Sequence, residues 1–181
     1  MNNPIKTILQ CLLILIIQLF VLNDNSIKTN LLFFGHPVFT PIIYPFFLLL
    51  LPINIKYWQI MLWALFMGFV LDFFSNSPGI HSAVCVLIAY LRPFLLRLFY
   101  QQEKKELAKS TPNIFRLGFY SFISYISLSF VIHHFSFYLL QLFSVKNIGL
   151  IFVKTIISSL LTIFFILLIQ ILFYKKDQRK I

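Results

Sequence analysis

The stretch LDFFSNSPGIHS, Leu71 to Ser82, interrupts an almost continuously apolar chain with a carboxylate, a turn and a histidine. Asp72 ends an uncharged run that begins at Tyr57. Proline presets φ in a turn and glycine accepts positive φ, so Ser75–Gly79 predicts a tight connection. We therefore expect a helical hairpin, in which one helix ends just after Asp72 and the next begins near Ile80.

The composition on both sides of this hairpin is that of an integral membrane protein. Hydrophobic residues make up 60% of the 181 residues and charged residues 11%, whereas about a quarter of an ordinary soluble domain is charged. A soluble fold needs a charged exterior that this chain cannot supply. We predict an all-α integral membrane protein with a single domain, residues 1–181.

Membrane-spanning helices need about 20 largely apolar residues, and the chain offers six such segments. The second carries Pro41, Pro45 and Pro52, so we expect it to be kinked or broken. The first is not followed by the small-residue pattern of a cleaved signal peptide and is predicted to be retained. The six predicted spans, in one bundle, are residues 5–22, 38–53, 57–74, 80–100, 114–134 (continuing toward Phe143) and 148–174.

Lysine and arginine residues predict the orientation, because they accumulate on the cytoplasmic side of a membrane. With six spans and a cytoplasmic N-terminus, all fifteen basic residues except Lys28, Lys146 and Lys154 fall on or near the cytoplasmic side. Both termini are therefore expected in the cytoplasm.

Two basic segments lie outside the predicted spans, a cytoplasmic loop at 101–113 and a tail at 175–181. The net charge of the chain is +10, and seven of its fifteen basic residues lie in these two segments, where they face anionic lipid headgroups. We expect these segments to bind anionic lipids or a partner protein and not nucleic acid. The candidate contact residues are Lys104, Lys105, Lys109, Lys175 and Lys176.

The position of Asp72 leaves two roles open. It lies about 22 Å above Tyr57 at 1.5 Å per residue, near the outer edge of the hydrocarbon. Gly68, one turn earlier on the same face, would let a neighbouring helix approach closely. Asp72 could accept hydrogen bonds from free N–H groups near His81, or from the His81 ring, and so fasten the hairpin. The alternative is ligand or proton binding, since ionisable residues inside membranes are often functional; we favour the fastening role.

Arg92-Pro93 interrupts the fourth predicted span and also has two interpretations. Arg92 lies about 16 Å below His81 along the helix, which is too deep to pair with Asp72. It could snorkel to the cytoplasmic surface or bind a carbonyl freed by Pro93. The segment would then be either a bent recognition surface or the plain end of the span.

The sequence offers no catalytic or metal-binding arrangement. His81, His133, His134 and Asp72 are residue types that bind zinc, but adjacent histidines point in different directions on a helix, and we predict no metal site. The two cysteines lie in apolar runs, where unpaired cysteine behaves as a small hydrophobe. Without a P-loop, an HExxH motif, a Ser-His-Asp set or paired carboxylates, we expect no enzyme activity and no cofactor.

The run MGFVLDFFSNSPGIHSAVCVLIAYLRP, Met67 to Pro93, resembles the central signature of the bacterial rod shape-determining protein MreD family. The later segment HHFSFYLLQLFS, His133 to Ser144, resembles the Bacteroidota-type members. The fourth predicted span has fewer alanines than the family pattern. The residues that carry the match are Gly68, Asp72, Gly79, His81, Tyr90, Leu91, Arg92 and Pro93. All of them except Leu91, together with Asn76 in the turn, are our structural or partner-binding candidates.

This resemblance implies a non-enzymatic scaffold of the bacterial inner (cytoplasmic) membrane. Such a protein belongs to the cell-wall elongation complex, which controls rod shape and lateral peptidoglycan synthesis. The implied partners are an MreC-like membrane protein, the actin-like MreB, and a peptidoglycan polymerase and transpeptidase. The family is also similar in fold to the substrate-binding subunits of energy-coupling vitamin transporters. An alternative function is therefore a vitamin-like small-molecule binding subunit of a transporter.

Overall fold

The computed structural model describes residues 4–22, 32–33, 36–37, 42–99, 111–143 and 148–173. Within these ranges the chain is helical, apart from a short antiparallel pair of strands, β1 (Leu32–Phe33) and β2 (His36–Pro37), with Phe33 opposite His36. The helices are α1 (Pro4–Ile16), which continues as a π-helical segment (Ile17–Leu22), α2 (Pro45–Leu50), α3 (Tyr57–Ser75), α4 (Ile80–Phe99), α5 (Ile114–Leu117), α6 (Phe119–Leu142) and α7 (Ile148–Phe173).

Four of these helices are long and apolar enough to cross a membrane: α3, α4, α6 and α7. The shortest, α3, has 19 residues and is about 28 Å long, close to the ~30 Å thickness of the hydrocarbon core. The helix α6 extends past His134 to Leu142, as the sequence predicted. The four helices confirm the all-α membrane class for the described residues.

The other two predicted spans differ from this pattern. The first predicted span contains an apolar helical stretch, Ile8–Phe20, which includes part of α1 and of its π-helical continuation. This stretch is shorter than the four long helices. The predicted span 38–53 is not one membrane-crossing helix, because α2 has only six residues and is about 9 Å long. Leu51 leaves the helix with ψ 153°, since a following proline disfavours helical geometry at the residue before it. Residues 38–41 of this predicted span lie outside the described residues.

Helix α4 holds the bundle together. It packs antiparallel to α3, and its other sides contact α6 and the short helix α2, while α7 packs on α6. Around it lie two buried apolar clusters, one including Met67 and Cys85 and the other Ile88 and Phe130. Both cysteines of the chain are buried and free, as predicted.

Large apolar side chains cover the outside of the long helices. Phe69 and Phe73 of α3 are 65% and 72% exposed, and Leu160 of α7 is 64% exposed. Such surfaces are costly in water and favourable in lipid, so the exposed apolar faces agree with a membrane environment. Asp72, Arg92, His133 and His134, in contrast, are buried in the bundle, so a functional site is sought around them.

Candidate functional site

The Asp72 carboxylate fastens the end of α3 to the beginning of α4. One oxygen accepts hydrogen bonds from the Ser77 hydroxyl at 2.5 Å and the His81 backbone N–H at 2.9 Å. The other accepts from the Ser82 backbone N–H at 2.9 Å and the Ser82 hydroxyl at 2.6 Å. An ionised carboxylate has about four acceptor positions, so these bonds occupy all of them. This geometry confirms the predicted link between Asp72 and the free N–H groups of α4.

Gly68 lets the two helices come close enough for these bonds. A Cβ atom added to Gly68 would lie 2.3 Å from the Ser82 Cα and 2.6 Å from the Ser82 nitrogen. Both are backbone atoms, so no side-chain rotation relieves the contact. The predicted close approach at Gly68 is confirmed, and its partner is Ser82, which itself binds Asp72.

The connection between α3 and α4 is a turn with two left-handed residues. Asn76 ends α3 at φ 52°, and its N–H binds the Asp72 carbonyl. The N–H of Ser77 binds the same carbonyl at 3.1 Å. Gly79 has φ 83°, and its carbonyl accepts from Ala83 in the first turn of α4 at 3.0 Å. Gly79 therefore has the positive φ that the sequence predicted, and Asn76 adds a second left-handed position.

The His81 side chain does not bind Asp72, which corrects one of the two partners proposed for it. Its Nδ1 lies 2.9 Å from the Tyr44 hydroxyl, and the same hydroxyl lies 3.0 Å from Nε2 of His133. Tyr44 and His133 are both fully buried. Since the hydroxyl has one proton, it donates to one ring and accepts from the other. Because one contact is made by Nδ1 and the other by Nε2, both neutral imidazoles must carry their proton on the same ring nitrogen, either both on Nδ1 or both on Nε2.

A second set of polar contacts joins α6 to α7. The neighbouring His134 points elsewhere, with Nε2 3.2 Å from the Thr162 hydroxyl. Tyr138 binds the Ser158 hydroxyl at 2.6 Å, and the Lys154 ammonium lies 5.4 Å from the centre of the Tyr138 ring. Because His133 and His134 bind different partners, the sequence argument that adjacent histidines diverge is confirmed. Among the described residues, no group of three or more His, Cys, Asp or Glu side chains could hold a metal ion.

Sequence reasoning missed Tyr44 and the polar stripe on α7. Tyr44 stands in an apolar run before Pro45 and carries no local signal. The α7 stripe did have one, because Lys154, Ser158 and Thr162 recur every four residues in an otherwise apolar helix. That spacing places them on one helical face.

Arg92 is buried, at 2% exposure, and binds the chain after α2. Its guanidinium donates to the backbone carbonyls of Leu51 and, at 3.2 Å, Pro52. Tyr125 donates to the carbonyl of Leu49 at 3.2 Å. The last carbonyls of a helix have no partner within it, and here side chains from α4 and α6 supply the donors. Arg92 therefore does not snorkel to the surface, and the carbonyls that it binds follow α2 and were not freed by Pro93. The interpretation of this segment as a recognition surface stays a prediction.

The remaining candidates lie apart from this polar interior. The Tyr90 side chain is 52% exposed, and its ring centre lies 5.9 Å from that of Phe94. Its backbone carbonyl accepts from the Tyr57 hydroxyl at 3.1 Å. Helix α4 continues through Pro93 to Phe99. The basic candidates of the loop and tail, Lys104, Lys105, Lys109, Lys175 and Lys176, lie outside the described residues.

Several buried polar atoms in the described bundle have no hydrogen-bond partner. They include Nδ1 of His133 and of His134, Nε of Arg92 and the Thr155 hydroxyl. These atoms are scattered over α4, α6 and α7 and are not grouped around one position. The arrangement is a set of buried hydrogen bonds that connects the helices α2, α3, α4, α6 and α7.

Comparison of the chain with models of protein families, with curated proteins and with solved structures found no match.

Proposed function

We propose that this chain is a non-enzymatic membrane scaffold of the MreD type, a subunit of the bacterial cell-wall elongation complex that binds an MreC-like partner. The resemblance between Met67 and Pro93 suggests the family. The observation that carries the proposal is the use of the Asp72 carboxylate, whose acceptor positions are all filled by groups of the same hairpin. A residue used in this way fixes a shape and has no lone pair left for a substrate.

We infer six membrane segments with both termini in the cytoplasm. Four long helices, the shorter α1 and the segment that contains the six-residue helix α2 would provide them. In this arrangement α2 is a partial helix inside the bundle, and Arg92 satisfies the carbonyls that follow it. Irregular backbone at membrane depth is tolerated where protein groups satisfy it. The basic loop and tail then face the inner leaflet of the bacterial inner membrane.

The partner would bind the outside of the bundle. Asp72 and Arg92 are buried, so they act by holding the helices in place and do not contact a partner directly. The available surfaces are the exposed apolar faces, for example Phe73 on α3 and Leu160 on α7. A single membrane helix of an MreC-like protein could pack on either face.

Photo-crosslinking in living cells tests this proposal. A photoreactive residue is placed at Phe73 or at Leu160, and the products are probed for the MreC-like protein of the same organism. We expect a crosslink from one of the two faces and co-purification in mild detergent. A photoreactive residue at the buried Met67 is the matched control and should give none. The absence of a crosslink from both faces, together with failure to co-purify, would contradict the scaffold.

The alternative is a small-molecule binding subunit of a transporter, and an open groove of about 830 Å³ between α1 and α3 is the candidate ligand site. Native mass spectrometry of the purified protein separates the two functions. A saturable, vitamin-sized ligand and an ATPase partner would support the transporter subunit. A protein that retains no such ligand and purifies with the MreC-like protein would support the scaffold.

A further inference from the structure

A groove runs between α1 and α3, and the described residues that line it include none from α6 or α7. Its volume is about 830 Å³. Ile8 and Leu12 of α1 form one wall, one helical turn apart, and Leu62 and Phe66 of α3 form the other, also one turn apart. All four side chains are exposed. The groove is therefore an apolar channel that opens sideways, toward the region a bilayer would occupy.

The length of the groove matches one leaflet. Along α3 it extends from Lys56 to Phe66, about 15 Å at 1.5 Å per residue. The hydrocarbon core of a bilayer is about 30 Å thick, so the groove reaches from one membrane surface to about the midplane. Trp58, which is 59% exposed, lies near the end of the groove at Lys56. Tryptophan prefers the boundary between lipid and water, so this end is expected at the membrane surface.

The end of the groove at Lys56 is polar and positively charged. Lys56, Gln59 and Asn54 line it, and none of the described residues that line the groove is acidic. The Gln59 side-chain oxygen accepts from the Lys56 backbone N–H at 3.3 Å, which leaves its amide N–H groups free to donate outward. The Lys56 ammonium and the neighbouring amide donors lie at the end of an apolar groove. They are complementary to a ligand with an anionic group attached to a hydrocarbon chain.

We propose that this groove binds one anionic phospholipid of the bilayer. An acyl chain lies between α1 and α3, and the headgroup phosphate binds Lys56, with Gln59 as a further donor. A zwitterionic phospholipid has the same phosphate but also a cation, so it gains less from Lys56. The site differs from general attraction to the basic loop and tail, because it selects one lipid at one place. It does not depend on the scaffold function proposed above.

The two tryptophans of the chain, Trp58 and Trp63, both line the groove, so intrinsic fluorescence reports on its occupant. The full-length protein is reconstituted in phosphatidylcholine vesicles that contain graded amounts of brominated-chain phosphatidylglycerol or brominated-chain phosphatidylcholine. Bromine quenches tryptophan on contact. One basic group near the surface is worth about 1 kcal/mol, so half-maximal quenching should need about fivefold less phosphatidylglycerol. Higher salt should reduce this preference.

Charge variants locate the site. Lys56→Gln should abolish the preference for phosphatidylglycerol, and Lys56→Arg should keep it. Arg97→Gln removes one exposed charge from the last turn of α4, outside the groove, and should leave the preference unchanged. Lys56 is itself exposed, so its variants should fold, which circular dichroism verifies. Equal quenching by both lipids in the unmodified protein, a preference that survives Lys56→Gln, or an equal loss in Arg97→Gln would each overturn the proposal.

Discussion

At the scale of single residues, Asp72 illustrates how a charge is tolerated at the edge of a membrane helix. Transfer of a carboxylate out of water is costly unless its oxygens are hydrogen-bonded. The two hydroxyls and two backbone N–H groups around Asp72 supply that compensation. They come from the turn and from the start of α4, so the carboxylate is stable only when the hairpin is formed.

Asp72→Asn should destabilise the protein, although it removes a charge. The new amide group has one acceptor oxygen, and its NH₂ would face donors that now bind the carboxylate. Hydrogen bonds to charged groups contribute about 1.5–3 kcal/mol, so we expect a clear fall in the thermal unfolding midpoint in detergent. Ser77→Ala removes a single donor and should have a smaller effect. Equal midpoints for Asp72→Asn and the unmodified protein would contradict the fastening role.

Gly68→Ala should also destabilise the protein, for a steric reason. Its Cβ would meet the Ser82 backbone at 2.3 Å, and overpacking of this kind costs about 1–3 kcal/mol or more. Gly149→Ala is a matched control in α7, because a Cβ there meets nothing within 4 Å. Alanine favours helices over glycine by up to about 1 kcal/mol, so the control should be neutral or slightly stabilising. Thermal unfolding midpoints of both variants test the expected loss in Gly68→Ala and the expected absence of loss in Gly149→Ala. An unchanged midpoint in Gly68→Ala would be inconsistent with the close approach of the two helices.

At the scale of secondary-structure elements, the sequence predicted the α3–α4 hairpin well and α2 poorly. The hairpin follows from local signals: Gly68, Asp72 and the Asn-Ser-Pro-Gly turn lie within a few residues of one another. Helix α2 depends on distant partners, since Arg92 is 41 residues away from Leu51 in the chain. Hydropathy predicts a membrane span at α2 because its residues are apolar. Hydropathy does not indicate which groups donate hydrogen bonds to the backbone carbonyls after α2.

Arg92→Met should weaken the attachment of α2 to the bundle. The substitution leaves the carbonyls of Leu51 and Pro52 without their buried donor, at a cost of about 1–3 kcal/mol for an unsatisfied group. Arg97→Met changes an exposed arginine on the same helix, where substitutions usually stay within about 0.5 kcal/mol. Thermal unfolding of the two variants in detergent gives the comparison. If both lose the same stability, Arg92 does not have the capping role assigned to it.

At the scale of the whole molecule, buried polar contacts connect helices whose relative positions apolar packing alone does not determine. Tyr44, before α2, binds His81 on α4 and His133 on α6, and His134 continues the contact to Thr162 on α7. Apolar surfaces slide on one another with little directional preference, whereas hydrogen bonds fix the register of helices inside a membrane. His81 and His133 were visible in the sequence, but their common partner was not, because a tyrosine in an apolar run is ordinarily taken as packing.

The orientation of this assembled bundle gives the last prediction. If both termini are cytoplasmic, the α3–α4 turn faces outward and the basic loop faces inward. Pro78→Cys lies in the turn and is exposed, whereas the native thiols Cys11 and Cys85 are buried and free and should contribute little labelling. In spheroplasts a membrane-impermeant maleimide should label Pro78→Cys and not Lys109→Cys, and in inside-out vesicles the order should reverse. The opposite pattern would invert the topology and move the Lys56 end of the lipid groove to the outer leaflet. Labelling of both sites from one side would exclude a single membrane crossing by α4, which lies between them.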